Sequence, residues 1–109
     1  MTIRHLKIFL AVAESGKMSL AAEQLFITQP SVSQAIRELE EHYQTLLFER
    51  LSKKLYITED GKKLYVTAKQ LVTQFESLEE SMQKENRREK APYRRHDYPG
   101  SGILSRVVP

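Results

Sequence analysis

The chain has 109 residues, room for one small domain or for a domain with an appendage. It carries no cysteine, which excludes disulfide and thiolate-metal chemistry. Without a membrane-length apolar run or a signal-peptide pattern at the start, it is expected to be cytoplasmic and to have no membrane partner.

The net charge of +3 is unevenly placed. Residues 84–109 hold seven Lys and Arg against Glu85, Glu89 and Asp97, whereas residues 1–83 hold ten basic groups against eleven acidic ones. Affinity of the first 83 residues for a polyanion must therefore come from local placement, not overall charge.

A first helix is predicted over residues 3–15. Thr2 is its N-cap, Leu6, Phe9, Leu10 and Ala13 share one face, and Ser15-Gly16 ends it. Ser19 is expected to cap a second helix over 20–25, with Ala21, Ala22 and Leu25 on the buried side. After the connection Phe26-Ile27-Thr28, a third helix runs from Gln29 or Pro30 to Tyr43. Thr28 can cap it, and Pro30 is tolerated in a first turn because that N–H has no helical partner. On a wheel of 100° per residue, Val32, Ile36, Leu39 and Tyr43 form the apolar stripe, and Pro30, Ser33, Gln34 and Arg37 gather on roughly the opposite face. A short helix and a proline-led helix joined by a tight turn are the layout that lays a second helix in a DNA major groove.

Leu55 and Ile57 alternate with Tyr56 and Thr58, which predicts a small two-stranded wing with a basic tip at 52–54. Thr58 then caps a long helix over 59–83. Gly61, Leu64, Ala68, Leu71, Phe75, Leu78 and Met82 recur in steps of three and four, a heptad seam. Leu64 and Tyr65 are expected to pack on their own domain, and Leu71 through Met82 on a partner helix. Beyond 83, the charges with Pro92, Pro99, Gly100, Gly102 and Pro109 predict an irregular tail.

The chemistry lies on the third helix. Gln29 and Gln34 each offer an amide that can pair with an adenine edge, and Ser31 and Ser33 are short and adaptable. Arg37 can reach a phosphate or a guanine, while Glu38, Glu40 and Glu41 should hold the far end away from DNA. Arg50, Lys53 and Lys54 supply phosphate or minor-groove contacts whose strength depends on salt. The plain alternative is that these groups form a solvated face and a solvated turn. His5, His42 and His96 lack metal-ligand spacing, and no nucleophile–base pair or glycine-rich phosphate loop is present, so neither a cofactor nor an enzyme activity is expected.

These residues resemble the DNA-binding region of LysR-type transcriptional regulators. The landmarks are Leu6 with Phe9, Ser19 through Ala22 with Leu25, Thr28-Gln29-Pro30-Ser31-Val32-Ser33, Ile36 with Leu39-Glu40, Leu47-Phe48-Glu49-Arg50, and Thr58 with Gly61. The likeness covers about residues 1–83. It implies a mainly α chain: a winged helix-turn-helix of three helices and a two-stranded wing over 1–58, then a dimerisation helix over 59–83. It also implies that Gln29, Pro30, Ser33, Gln34 and Arg37 face the operator, and that Lys54 reaches the adjoining groove or backbone. Gln44 stands where the family favours glycine, Gln34 where arginine is frequent, and Asp60 where a small residue is usual.

The family continues into an effector domain of roughly two hundred residues, which the 26 residues of 84–109 cannot hold, so no small-molecule effector is expected in this chain. The codons for Ala91-Pro92-Tyr93-Arg94-Arg95-His96, read one nucleotide later, permit the family's Leu-Arg-Ile-Gly-Ala strand, so the tail is expected to be out of frame. The function expected is sequence-specific binding of double-stranded DNA by a homodimer, on an interrupted inverted repeat that mirrors its two-fold symmetry. The homodimer is expected to form through Leu64, Ala68, Leu71, Phe75, Leu78 and Met82 of the 59–83 helix; the competing expectation is a non-sensing partner that joins full-length relatives through the same helix.

Overall fold

The computed structural model describes residues 1–88. The order is α1 (Ile3–Ser15), α2 (Met18–Leu25), α3 (Gln29–Tyr43), β1 (Phe48–Leu51), β2 (Lys54–Ile57) and α4 (Glu59–Arg88). The mainly α, winged helix-turn-helix architecture is as expected. The chain divides into two units, Met1–Ser77 and Leu78–Pro109; the described part of the second is the end of α4.

In the first unit α1 is central. Besides Leu6, Phe9 and Leu10, it buries Ile8, Ala11 and Val12, far more than one face. It can do so because α2 and α3 pack on it and Ala68 and Val72 of α4 belong to the same buried cluster. Gly16 ends α1 in the left-handed region at φ 80°, where glycine has no Cβ penalty. Ala21 and Ala22 of α2, with Val32, Ala35, Ile36 and Leu39 of α3, complete the helical core. The small alanines keep α2 close to its neighbours. Phe9 meets Phe48 with ring centroids 5.4 Å apart, which brings the start of the wing into the same core.

Two expectations about these helices are corrected. Ser19 does not cap α2: the helix begins at Met18 with Lys17 in the N-cap position, and Ser15 donates its hydroxyl to the Lys17 carbonyl instead. Tyr43 is not buried with the α3 stripe. It is 41% exposed, because α3 ends there and the ring stands edge-on to His42 rather than over the core.

The wing is antiparallel, with Leu51 opposite Lys54 and Phe48 opposite Ile57. Ser52 and Lys53 both take positive φ, 50° and 67°, as a two-residue turn matched to strand twist requires. The tip is thus Ser52-Lys53, and Lys54 opens β2. Thr58 ties wing to α4: its hydroxyl donates to the Leu46 carbonyl at 2.7 Å and accepts the Gly61 N–H at 3.0 Å.

α4 runs to Arg88, beyond the expected end at 83, so residues 84–88 are helical and not irregular. The expectations for 89–109, including the out-of-frame origin, lie outside the described residues. Along α4, Gly61, Ala68 and Val72 are buried, with Tyr65 half-buried between them. Ala68 is therefore corrected as a dimerisation residue: it has no exposed surface, because it sits in the core of its own unit. Leu64 and Phe75 are half-buried, and Lys7 lies 5.6 Å from the Phe75 ring centroid. Leu71, in the first unit, is exposed, as are Leu78 and Met82 in the second.

Candidate nucleic-acid interface

The start of α3 is built by Thr28. Its Oγ1 accepts the Ser31 N–H at 3.3 Å and donates to the Ser31 hydroxyl at 2.9 Å. This satisfies one of the free donors of the first turn and occupies the Ser31 side chain. Val32, Ile36 and Leu39 anchor the helix, all at 3% exposure or less. That anchoring turns Thr28, Gln29, Pro30, Gln34 and Arg37 to the surface, where all five are exposed. Gln29, Pro30, Ser33 and Arg37 line one open depression of about 420 Å³.

Ser33 is less available than the wheel implied. It is half-buried, and its hydroxyl donates to the Met18 thioether at 3.2 Å. The early start of α2 is what brings Met18 over it. Gln34 and Arg37 are not independent either: the Arg37 guanidinium donates to Gln34 Oε1 at 2.6 Å, and Gln34 Nε2 donates to Glu38 Oε2 at 2.9 Å. Donation from Gln34 and then from His5 holds the Glu38 carboxyl below the usual range. Glu40, read as an exposed group that keeps DNA away, instead points inward, accepting the N–H groups of Leu47 and Phe48.

Arg50 on β1, Lys53 in the turn and Lys54 on β2 are all exposed. Together with Gln29 and the start of α2 they line a cleft of about 380 Å³. Lys17 belongs to this cleft and was missed from sequence, because placing the cap at Ser19 left it in a connecting loop. Among the described residues, none of Lys17, Arg50, Lys53 and Lys54 pairs with a carboxylate. Four cations therefore border one end of the α3 surface, although residues 1–83 are slightly acidic overall. Phe26, in the α2–α3 turn, was also missed; it adopts φ 58° and is 94% exposed.

The profile described as "Bacterial regulatory helix-turn-helix protein, lysR family" matches residues 3–62, more than half of the chain. The chain belongs to the lysR family. Among its LysR relatives, it is 34% identical over 79 residues to the HTH-type transcriptional activator CmpR of Synechocystis sp., covering 72% of this chain and 26% of that protein. It is 46% identical over 71 residues to the HTH-type transcriptional regulator CysL of Bacillus subtilis, covering 65% of this chain and 24% of that one. The chain thus spans about a quarter of the length of these two LysR proteins. Among solved structures, the BenM_DBD/catB site 1 DNA complex superposes with a TM-score of 0.74 at 32% identity, over 79% of this chain and 97% of that one.

Proposed function

We propose that this LysR-family chain is a sequence-specific, double-stranded-DNA-binding transcriptional regulator. In this reading α3 enters the major groove, and the wing follows the neighbouring backbone or minor groove. The observation that carries it is the exposed, outward polar face of Thr28, Gln29, Pro30, Gln34 and Arg37, bordered by the cations Lys17, Arg50, Lys53 and Lys54, none of which pairs with a carboxylate among the described residues. The phosphate contacts would set position, and Gln29 and Gln34 would supply most of the base reading. The likeness to a chain in a DNA complex supports the same assignment.

Dimerisation through α4 is part of this proposal. Leu71, Leu78 and Met82 are exposed and follow one another at heptad spacing in the sequence. Two copies would then present two α3 helices to an interrupted inverted repeat. The same exposed residues support the second reading, a partner that joins longer relatives through α4. A cytoplasmic location fits both; among the described residues, no helix is long and apolar enough to cross a membrane.

Selection from a randomised duplex library with the purified chain tests the proposal, with light scattering alongside. The expected result is enrichment of a two-fold symmetric site by a dimer. Binding with equal affinity to all sequences would overturn specific recognition. A dimer that retains no DNA would favour the second reading.

A further inference from the structure

One continuous chain of hydrogen bonds leads from the first residues of α1 to the exposed face of α3. The Thr2 N–H donates to His5 Nδ1 at 3.2 Å, and the Thr2 hydroxyl lies 2.9 Å from the same nitrogen. With Nδ1 accepting, the ring proton sits on Nε2, which donates to Glu38 Oε1 at 2.6 Å. The other Glu38 oxygen takes Gln34 Nε2 at 2.9 Å, and Gln34 Oε1 takes the Arg37 guanidinium at 2.6 Å.

Each link is near the surface and modest in strength. What matters is direction. A carboxylate only accepts and a guanidinium only donates, so the Gln34 amide between them fits one way round. Flipped, it would set its oxygen against Glu38 and its NH2 against Arg37. A glutamine amide reads adenine by donating to N7 and accepting from N6, so its orientation is part of what it can read. His5 makes the arrangement firmer. Only 16% of its side chain is exposed, and it holds Glu38 from another helix.

We propose that His5 and Glu38 are positioning residues for DNA recognition: acting through Gln34 and Arg37, they set the base preference at the position Gln34 reads. This rests on the reading of the α3 face as the base-reading surface. Glu38→Gln keeps the shape but can donate as well as accept, which releases the amide orientation. His5→Ala leaves the carboxylate charge in place and removes its anchor.

The test is selection from a randomised duplex library by the full chain, for wild type, His5→Ala, Glu38→Gln, Gln34→Ala and the doubles with Gln34→Ala. His5→Ala and Glu38→Gln should each lower the preference at one base pair by about threefold to tenfold, a part of what a bidentate base contact supplies. Affinity of His5→Ala for random DNA should stay at the wild-type value, and neither substitution should change the selected sequence further in the Gln34→Ala background. If Gln34→Ala loses a base preference that His5→Ala and Glu38→Gln both retain, the positioning role alone is overturned. The same holds if the two act equally in the absence of Gln34. If wild type and Gln34→Ala select identical sequences, the base-reading assignment itself fails and the positioning role falls with it.

Discussion

The Glu40 carboxylate of α3 accepts the backbone N–H of Leu47 at 2.9 Å, seven residues further along the chain. The same oxygen takes the Phe48 N–H at 3.3 Å. One side chain thus satisfies two donors where the chain leaves α3 and enters the wing. Leu47 is buried and its N–H has no strand partner, so water cannot readily replace the carboxylate. Glu40→Ala should destabilise the fold by about 1–3 kcal/mol. Urea unfolding followed by circular dichroism measures this; a midpoint equal to wild type would show that the loop finds other partners.

Gly61 sits where α4 starts against the loop before the wing. A Cβ at this position would collide with the Leu47 carbonyl oxygen and with Ile57 Cγ1. The first obstacle is backbone, whose carbonyl also accepts the Thr58 N–H at 3.0 Å, so it cannot yield cheaply. Gly61→Ala should cost about 2–4 kcal/mol by overpacking, despite alanine's better helix propensity. A thermal melt distinguishes the two effects, since propensity alone would raise the midpoint.

Gln44 ends α3 at φ 55° and ψ 44°, a left-handed conformation that is costly for a residue with a Cβ. Its side chain compensates by donating to the Glu41 carbonyl at 2.7 Å. Gln44→Gly relieves the strain and forfeits that bond. A net gain of about 0.5–1 kcal/mol is expected, seen as a melting midpoint several degrees higher. An unchanged or lower midpoint would show that the side-chain bond outweighs the strain.

Glu14 joins α1 to α4 by accepting from Tyr65 and Lys69, each at 2.8 Å. The Lys69 ammonium first, and the Tyr65 hydroxyl second, hold its carboxyl below the ordinary value of 4.5. A lowered folded-state pKa means this contribution is fully present above about pH 4.5 and is lost as pH falls through the lowered value. Glu14 and Lys69 are both about half exposed, so screening keeps the contribution small. Glu14→Gln should be slightly less stable than wild type at neutral pH, the gap closing in acid. Parallel stability curves down to pH 3 would refute the link.

On DNA, Gln29 and Lys54 should behave differently. Gln29→Ala is expected to cost about 1–3 kcal/mol on the selected site and to relax one base pair. Lys54→Ala should weaken all sequences alike and flatten the salt dependence, as loss of a phosphate contact does. Electrophoretic titration on selected and random duplexes at two salt concentrations separates them. Equal losses on both DNAs for Gln29→Ala would remove it from base readout.

Much of the fold was legible because its signals are local. Thr28 and Pro30 mark a helix start whatever surrounds them, and Val32, Ile36 and Leu39 repeat at helical spacing. Gly16 likewise stops α1 on its own account. Legibility failed where two segments compete for one residue. Ser19 has the chemistry of a cap, yet the chain starts α2 at Met18, and Met18 then covers Ser33. Heptad spacing could not tell that Ala68 is consumed by its own domain, because a helix facing a core and a helix facing a partner share one period. Phe26 and Lys17 carried no periodic signal at all.

Residue order alone determined the helices, the wing and the polar side of α3, since capping, turn formation and amphipathic spacing depend on neighbours a few positions apart. Only the tertiary structure decided what each surface group is free to do. Glu40 was taken by Leu47, Ser33 by Met18, and Glu38 by His5. Side-chain donors and acceptors bind whichever partner packing brings within 3 Å or so, and packing is a property of the whole chain.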